Sequence, residues 1–384
     1  MLFDDFERTF DEPMTELEPS FIYLNRSARP AFAKVRKELE RWFANYPESA
    51  KRQLKLRLRE EFESAFYELF LHELLVRMGA KVEIEPNLGT RGKRPDFAAK
   101  LGGAQFVLEA KVFFDESTAA QKESKRNAKL YDAINEIEAP FFLAVERVIC
   151  HSCMHASTRG VKAFLIRELE KIDPDFLCEH CQNHELPLLE FKDDNITMKF
   201  RVLPKSREGR ARKSRLIGMT SNARWSTSET GIRDALKEKG NRYGEIGHPF
   251  VIGVNTIGEL PMDNRQFHEV LFGTVQEYVP GDSNQCSIRL LDNGFWGTAL
   301  NPKYTRVSGV VLGMILPWNA PRTNLVLYRN PWAAHPLYEI DWPIPVVEML
   351  DGEKTTTRPK QSLGCLFELD CDWPGEFFSD NRNE

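Results

Sequence analysis

The chain has 384 residues, of which 42% are hydrophobic and 28% are charged, and its formal net charge is −5 at pH 7. This composition is that of a globular protein with one large domain or two to three of ordinary size, and it excludes a fibrous or largely disordered chain. The negative net charge excludes attraction to nucleic acid through a global basic field, so any such binding must come from local patches.

The termini, the hydropathy and the cysteine content predict a cytoplasmic protein. The first eight residues are acidic and lack the pattern of a signal peptide. The longest apolar stretch, residues 307–318, is too short to span a membrane, so no membrane partner is expected. Seven cysteines, an odd number, are typical of reduced thiols in a cytoplasm.

The N-terminal part predicts two helices and a strand. Residues 1–50 form an extension with a helix from Pro30 to Asn45, whose apolar stripe needs a surface to cover. A second helix from Glu60 to Met78 is apolar on nearly every side in its later part, as expected for a buried helix, and Gly79 ends it. Residues 81–85 alternate as a short strand.

Residues 94–112 predict a β-hairpin with two carboxylates in register. Gly102-Gly103 suits a two-residue turn, and if its neighbours flank that turn, Asp96 lies directly opposite Glu109. Directly opposed like charges destabilise a sheet, so two carboxylates held face to face suggest a cation between them. Lys111 lies two residues beyond Glu109 and therefore falls on the same face of the strand.

A helix at residues 116–137 and a buried strand at 140–149 complete the order helix, strand, strand, strand, helix, strand. That order, with Pro95-Asp96 and Glu109-Ala110-Lys111, resembles the PD-(D/E)XK nuclease superfamily of restriction enzymes, Holliday-junction resolvases and repair exonucleases. The resemblance covers about residues 55–150. It implies an α/β fold with a restriction-endonuclease-like mixed central sheet flanked by helices, in a core that we place at residues 51–215.

The resemblance also implies a role for each motif residue. Asp96 and Glu109 would bind Mg²⁺ or Mn²⁺ through hard oxygen ligands, and the carbonyl of Ala110 would complete the inner shell. The metal would stabilise charge on a phosphate and lower the pKa of a bound water. Lys111 would orient or deprotonate that water, or stabilise the developing negative charge.

The superfamily usually adds an acidic residue from the first helix. We select Glu68 as a catalytic residue, because it lies in line with apolar positions where an unpaired charge is costly. Glu61, Glu63 and Glu73 are the alternatives. His72, one turn after Glu68, is expected to be a hydrogen-bond partner rather than a ligand.

Basic residues cluster in two places that predict contacts with nucleic-acid phosphates. One cluster immediately precedes Asp96, and the other is a run at residues 205–215 that could equally be a solvated loop. The candidates are Arg91, Lys93, Arg94, Lys205, Arg207, Arg210, Arg212 and Lys213.

A segment rich in cysteine and histidine spans residues 150–184. Its two Cys-x-x-Cys pairs suggest a structural Zn²⁺ site with the ligands Cys150, Cys153, Cys178 and Cys181. A predicted helix at 157–172, about 24 Å long at 1.5 Å per residue, separates the pairs. Unrelated thiols are therefore the alternative.

Residues 216–384 predict an additional α/β region that either extends the central sheet or forms a second layer. Strands at 286–291 and 295–300 flank Asn293-Gly294, which predicts a hairpin. The other predicted elements are helices at 231–243 and 266–272 and strands at 249–254, 307–316 and 324–328.

The leading hypothesis is a metal-dependent nuclease that hydrolyses phosphodiester bonds in DNA, in restriction, defence or repair. The first alternative is a catalytically inactive nuclease fold that binds nucleic acid or protein and carries a structural zinc. A third hypothesis is a metal hydrolase that leaves nucleic acids uncut. The sequence leaves open whether the chain acts as a homodimer.

Overall fold

The computed structural model describes residues 1–114, 118–151, 157–180, 186–210, 214–220, 228–258, 262–278, 287–337, 340–350 and 353–375. The helices are α1 (Ser20–Arg26), α2 (Pro30–Asn45), α3 (Glu48–Glu60), α4 (Phe62–Arg77), α5 (Thr118–Asn135), α6 (Thr158–Leu169), α7 (Pro174–His180), α8 (Arg207–Arg210), α9 (Ser228–Arg242), α10 (Asn264–Phe272) and α11 (Leu363–Phe367), with a 3₁₀ turn at Ala320–Arg322. The strands are β1 (Lys81–Ile84), β2 (Phe97–Leu101), β3 (Ala104–Phe114), β4 (Phe141–Cys150), β5 (Leu188–Lys192), β6 (Ile196–Pro204), β7 (Ile217–Thr220), β8 (Phe250–Ile257), β9 (Val275–Tyr278), β10 (Ser287–Leu290), β11 (Gly297–Thr298), β12 (Asn301–Pro302), β13 (Gly309–Gly313), β14 (Val326–Arg329), β15 (Val346–Leu350) and β16 (Glu353–Thr357).

The chain divides into two compact units. Unit 1 comprises residues 1–6, 30–115 and 226–375, and unit 2 comprises 7–29, 116–225 and 376–384. The protein is α/β with mixed sheets flanked by helices, as predicted. The division differs from the predicted boundaries, because unit 2 takes most of its residues from the segment between β3 and α9.

The centre of unit 1 is an eight-stranded sheet in the order β1-β2-β3-β8-β13-β14-β15-β16. β8 runs parallel to both β3 and β13, whereas the β1–β2–β3 and β13–β14 pairs are antiparallel. β8 and β13 are buried almost throughout, which accounts for their continuous apolar sequences.

Helices cover both faces of this sheet. On one face lies α4, whose Leu71 approaches the backbone of Gly253 in β8. On the other face, Ile232 of α9 and Phe267 of α10 share a core cluster with Ile252. The observed α2 and α4 match the predicted helices within one or two residues, because their apolar patterns are long and regular.

The predicted hairpin and its register are confirmed. Leu101 pairs with Ala104 and Phe97 pairs with Leu108, in the register that the Gly102-Gly103 turn predicts. Both glycines have positive φ, 54° and 92°, as a turn of this type requires.

Unit 2 contains a four-stranded sheet in the order β5-β6-β4-β7. The predicted helix at 116–137 and strand at 140–149 both exist, as α5 and β4, but they belong to this unit and not to the sheet of β1–β3. The reason is that β4 pairs with β6 along its whole length, from Phe141 to Cys150. The position beside β3 is taken by β8 instead.

The predicted hairpin at Asn293-Gly294 is wrong. β10 pairs with β9, while β11 pairs with β12. Asn293 accepts a hydrogen bond from the backbone of Thr274, and a Cβ on Gly294 would lie 2.4 Å from the carbonyl carbon of Phe272. Asn293-Gly294 therefore lies where two backbone segments pass very close to each other. Farther along, β8, β13 and β14 extend the central sheet.

No helix among the described residues is long and apolar enough to cross a membrane.

Candidate functional site

Asp96 and Glu109 lie against each other at one end of the hairpin. Asp96 immediately precedes β2, and its backbone N–H donates to Glu109 Oε2 at 3.2 Å. In the other direction, the backbone N–H of Ala110 donates to Asp96 Oδ2 at 2.7 Å. Each carboxylate is thus positioned by the backbone of the opposite strand.

Burial and the neighbouring Glu109 raise the pKa of Asp96. Burial is the largest cause, the negative charge of Glu109 is the second, and together they raise the pKa of Asp96 to about 7. The Ala110 N–H and the charge of Lys239 oppose this shift, whereas the charge of Glu68 adds to it. The site therefore holds less negative charge at neutral pH than its carboxylates would carry in water.

Lys239 of α9 is the cation that contacts this pair. Its ammonium donates to Glu109 Oε1, and the side chains of Lys239 and Glu109 are only 10% and 1% exposed. One turn later, burial raises the pKa of Tyr243, and the charge of Glu109 and a hydrogen bond to it raise that pKa further. Lys239 and Tyr243 therefore hold Glu109 from the helix side.

Sequence reasoning missed Lys239, although a signal for it exists. Ile232, Leu236 and Tyr243 of α9 are all buried on the face that packs on the sheet. Lys239 interrupts this apolar stripe at a helical spacing. A lysine in such a position needs an anionic partner, so the helix pattern alone indicates a buried ion pair at Lys239.

Lys111 lies on the same strand face as Glu109, but its ammonium lies near a different acid, Glu238. The Nζ atom of Lys111 is 4.0 Å from Glu238 Oε2, and the Lys111 side chain is 33% exposed. β3 thus carries a partly exposed lysine on the face of Glu109, and α9 carries a buried lysine that contacts Glu109.

Glu68 is held beside this site by two groups. Tyr46 donates its hydroxyl to Glu68 Oε1 at 2.9 Å, and the Arg57 guanidinium contacts Oε2. The negative charge of Glu68 also contributes to the raised pKa of Asp96.

The alternative acid Glu73 is committed elsewhere, since it is fully buried and paired with Arg77 at 2.6 Å. Another alternative, Glu61, pairs with Arg57 at 2.5 Å and is half exposed.

His72 does not make the expected hydrogen bond. Its Nδ1 is buried without a partner among the described residues, and its ring centroid lies 4.7 Å from that of Tyr46. Burial lowers the pKa of His72 to about 4, so the ring is neutral at physiological pH. We therefore interpret His72 as a packing residue behind Tyr46.

The oxygen atoms available to a metal come from the hairpin. No hydrogen-bond donor among the described residues reaches Asp96 Oδ1. Glu109 offers two oxygens, which Lys239 and the Asp96 N–H now engage. No group of three or more His, Cys, Asp or Glu side chains in the described part of the chain is arranged to hold a metal ion. Two carboxylates still fit a hard divalent cation that keeps several waters.

The first basic cluster lies beside the site. Lys93 and Arg94 are exposed and directly precede Pro95-Asp96. Arg91 donates to the carbonyl of Asn241 at 2.5 Å, which ties this loop to the end of α9. The cluster therefore places exposed positive charge at the edge of the two-carboxylate site.

The second cluster belongs to unit 2, and its members are largely engaged. Lys205 is only 5% exposed and donates to the Ala139 carbonyl at 2.9 Å, so its ammonium is engaged within the fold. Burial lowers the pKa of Lys205. Arg210 pairs with Asp175 at 2.9 Å, and Arg207 lies 3.6 Å from the same carboxylate. Arg212 and Lys213 lie outside the described residues.

The predicted zinc site falls partly outside the described residues. Cys150 ends β4 and Cys178 lies on α7, whereas Cys153 and Cys181 are not among the residues described. The zinc ligand set therefore stays a prediction.

The residues gathered in unit 1 are of the types that bind metal ions and phosphates. The site joins hard oxygen atoms to the buried ammonium of Lys239, with Lys111 on the same strand face as Glu109, at a place where buried charges interact strongly. Such a set can bind a divalent cation or the anionic oxygens of a phosphate. No protein-family model, no curated protein and no solved structure matches this chain.

Proposed function

We propose that the protein is a metal-dependent nuclease of the PD-(D/E)XK type that hydrolyses phosphodiester bonds in DNA. The observation that carries this proposal is Asp96 set against Glu109 across a hairpin, with the Lys239 ammonium on Glu109. The element order also supports it, because α4, β1, β2, β3, α9 and β8 follow one another once unit 2 is treated as an insertion.

Asp96, Glu109 and the carbonyl of Ala110 would hold Mg²⁺ or Mn²⁺. When bound, the ion would supply Lewis-acid stabilisation of the phosphate and a more acidic water. The donor set fits because Asp96 Oδ1 has no donor among the described residues, and because a positive charge already stabilises Glu109.

The protein's own groups divide the remaining work. Lys111 is a third exposed, so its ammonium can reach a scissile phosphate or the attacking water. Lys239 and Tyr243 fix the rotamer of Glu109, so that its carboxylate is preorganised. Arg57 and Tyr46 hold Glu68 near Asp96 in the same way.

Exposed Lys93 and Arg94 would contact the substrate backbone beside the site. Contacts of this kind position a strand without reading its sequence. We place the activity in restriction, defence or repair of DNA, in the cytoplasm.

The inactive binding module is a second candidate, favoured by one observation. Lys239 engages a carboxylate oxygen that a metal would need, so the site is already neutralised from within. A nuclease that has lost its function would keep such an internal ion pair for stability.

Cleavage of labelled duplex DNA, single-stranded DNA and RNA with Mg²⁺ or Mn²⁺ separates the two candidates. We expect the wild type to cleave DNA, Lys111→Ala and Glu109→Gln to abolish cleavage, and Lys237→Ala to leave it unchanged. Lys237 is the matched control, since it is exposed on α9 and, among the described residues, pairs only with Asp234 on its own helix, at 2.9 Å. Binding without cleavage in all variants would establish the binding module.

A further inference from the structure

Arg233, on α9, is a buried cation without a counter-ion among the described residues. It is only 8% exposed, its Nη2 donates to Thr274 Oγ1 at 3.2 Å, and its Nε is buried without an acceptor. A guanidinium stays protonated in proteins, so it cannot avoid the cost of burial by losing its proton. A buried guanidinium of this kind is stabilised by a neighbouring anion.

Two described acids on neighbouring elements are paired with other cations. Glu269, on the adjacent α10, pairs with Arg265 at 3.1 Å. Asp292 lies 3.4 Å from Lys303. Among the described side chains, no carboxylate forms an ion pair with Arg233.

Thr274 provides a second donor at the same place. Its Oγ1 accepts hydrogen bonds from Arg233 Nη2 and from Asn293 Nδ2, the latter at 3.1 Å. With both lone pairs of the oxygen engaged, the hydroxyl proton is directed toward another acceptor. Asn293 in turn accepts from the backbone N–H of Thr274 at 2.9 Å, which fixes both side chains.

The backbone around these donors is rigid. A Cβ on Gly273 would lie 2.1 Å from the carbonyl oxygen of Leu291, and one on Gly294 would lie 2.5 Å from the amide nitrogen of Gly273. Two chain segments therefore touch directly behind Thr274 and Asn293. The donors are preorganised, which lowers the entropy cost of binding.

We propose that Arg233, Thr274 and Asn293 form a binding site for a phosphate group. Guanidinium, hydroxyl and amide donors at one place suit a tetrahedral anion with several acceptor oxygens, and arginine matches phosphate geometry well. The site is separate from the two carboxylates, because Arg233 lies on a different flank of α9 from Lys239. It does not depend on the proposed nuclease activity.

Thermal unfolding with inorganic phosphate tests this proposal. The measurement omits divalent cations and holds ionic strength constant with chloride. We expect the melting temperature of the wild type to rise with phosphate and to saturate, and that of Arg233→Met to show no such response. Arg242→Met is the matched control, being exposed on the same helix, and should respond like the wild type.

A structural role for Arg233 makes opposite predictions. If Arg233 only stabilises the fold, Arg233→Met unfolds at a lower temperature and keeps the phosphate response of the wild type. An equal response of the two proteins, or no saturable response in the wild type, overturns the proposal. Should Arg233→Met fail to fold, Thr274→Val and Asn293→Ala must each weaken the apparent phosphate affinity severalfold, and unchanged affinity in both overturns it.

Oligonucleotides distinguish the sources of the phosphate group once inorganic phosphate binds. Stabilisation by a 5′-phosphorylated strand alone identifies a strand end, and equal stabilisation with and without that phosphate identifies an internal phosphodiester. Stabilisation by neither strand identifies a small phosphate ester or free phosphate as the ligand.

Discussion

The ammonium of Lys239 lies on the carboxylate of Glu109, although the two residues are 130 positions apart in the chain. Both side chains are almost entirely buried, so this contact joins α9 to β3, the second strand of the hairpin. The insertion of unit 2 separates them in sequence, and the pairing of β3 with β8 brings α9 back over β3. The site therefore contains residues from both sides of the unit 2 insertion.

Lys239→Met should destabilise the protein by about 3–5 kcal/mol, because it leaves Glu109 as a buried charge without its cation. The double variant Lys239→Met/Glu109→Gln should recover most of this loss. The measurement is chemical denaturation of the single and double variants, with Lys237→Met as the exposed control. A single variant as stable as the wild type would show that the buried pair is not formed in solution.

Asp96→Asn should stabilise the protein at neutral and alkaline pH while removing a proposed metal ligand. The pKa of Asp96 is raised from 3.8 to about 7 by burial and by Glu109, so ionising this group costs stability in the folded state. Below its unfolded pKa the wild type does not bear this cost, and the cost grows as pH rises to about 7.

The free energy of unfolding, measured for both proteins from pH 4 to pH 8, checks this. The advantage of Asp96→Asn should be small near pH 4, increase up to about pH 7 and then level off. An advantage that stays constant with pH, or that shrinks as pH rises, would contradict the assigned pKa.

The sequence predicted the hairpin register and the Asp96–Glu109 pair because both depend on local chemistry. Gly102-Gly103 sets the turn, and the strand alternation then follows. It could not predict Lys239 or the neighbour of β3, since those depend on which strand returns to the sheet after a long insertion. The strand predicted at 140–149 is also largely apolar, so its sequence did not distinguish it from β8 as the neighbour of β3. Its observed pairing with β6 depends on contacts distant in sequence.

Tyr67→Phe should stabilise the protein by about 1 kcal/mol. The Tyr67 hydroxyl is fully buried and has no hydrogen-bond partner among the described residues, and a buried unsatisfied donor costs about 1–3 kcal/mol. Its oxygen would lie 2.7 Å from a Cβ on Gly253, so Gly253→Ala should destabilise the wild type and be better tolerated in the Tyr67→Phe variant. A double-mutant cycle measures this coupling, and additive effects would contradict the close approach.

Mn²⁺ should stabilise the protein more at pH 8 than at pH 6, because a proton and a divalent cation compete for Asp96. With a pKa of about 7, Asp96 is mostly protonated at pH 6, so binding there must displace that proton. The measurement is the shift in melting temperature with Mn²⁺ at each pH, and chelation should reverse it. Glu109→Gln should lose most of the shift, whereas Lys237→Met should retain it. A shift that is equal at both pH values, or unaffected in Glu109→Gln, would place the bound metal away from this pair of carboxylates.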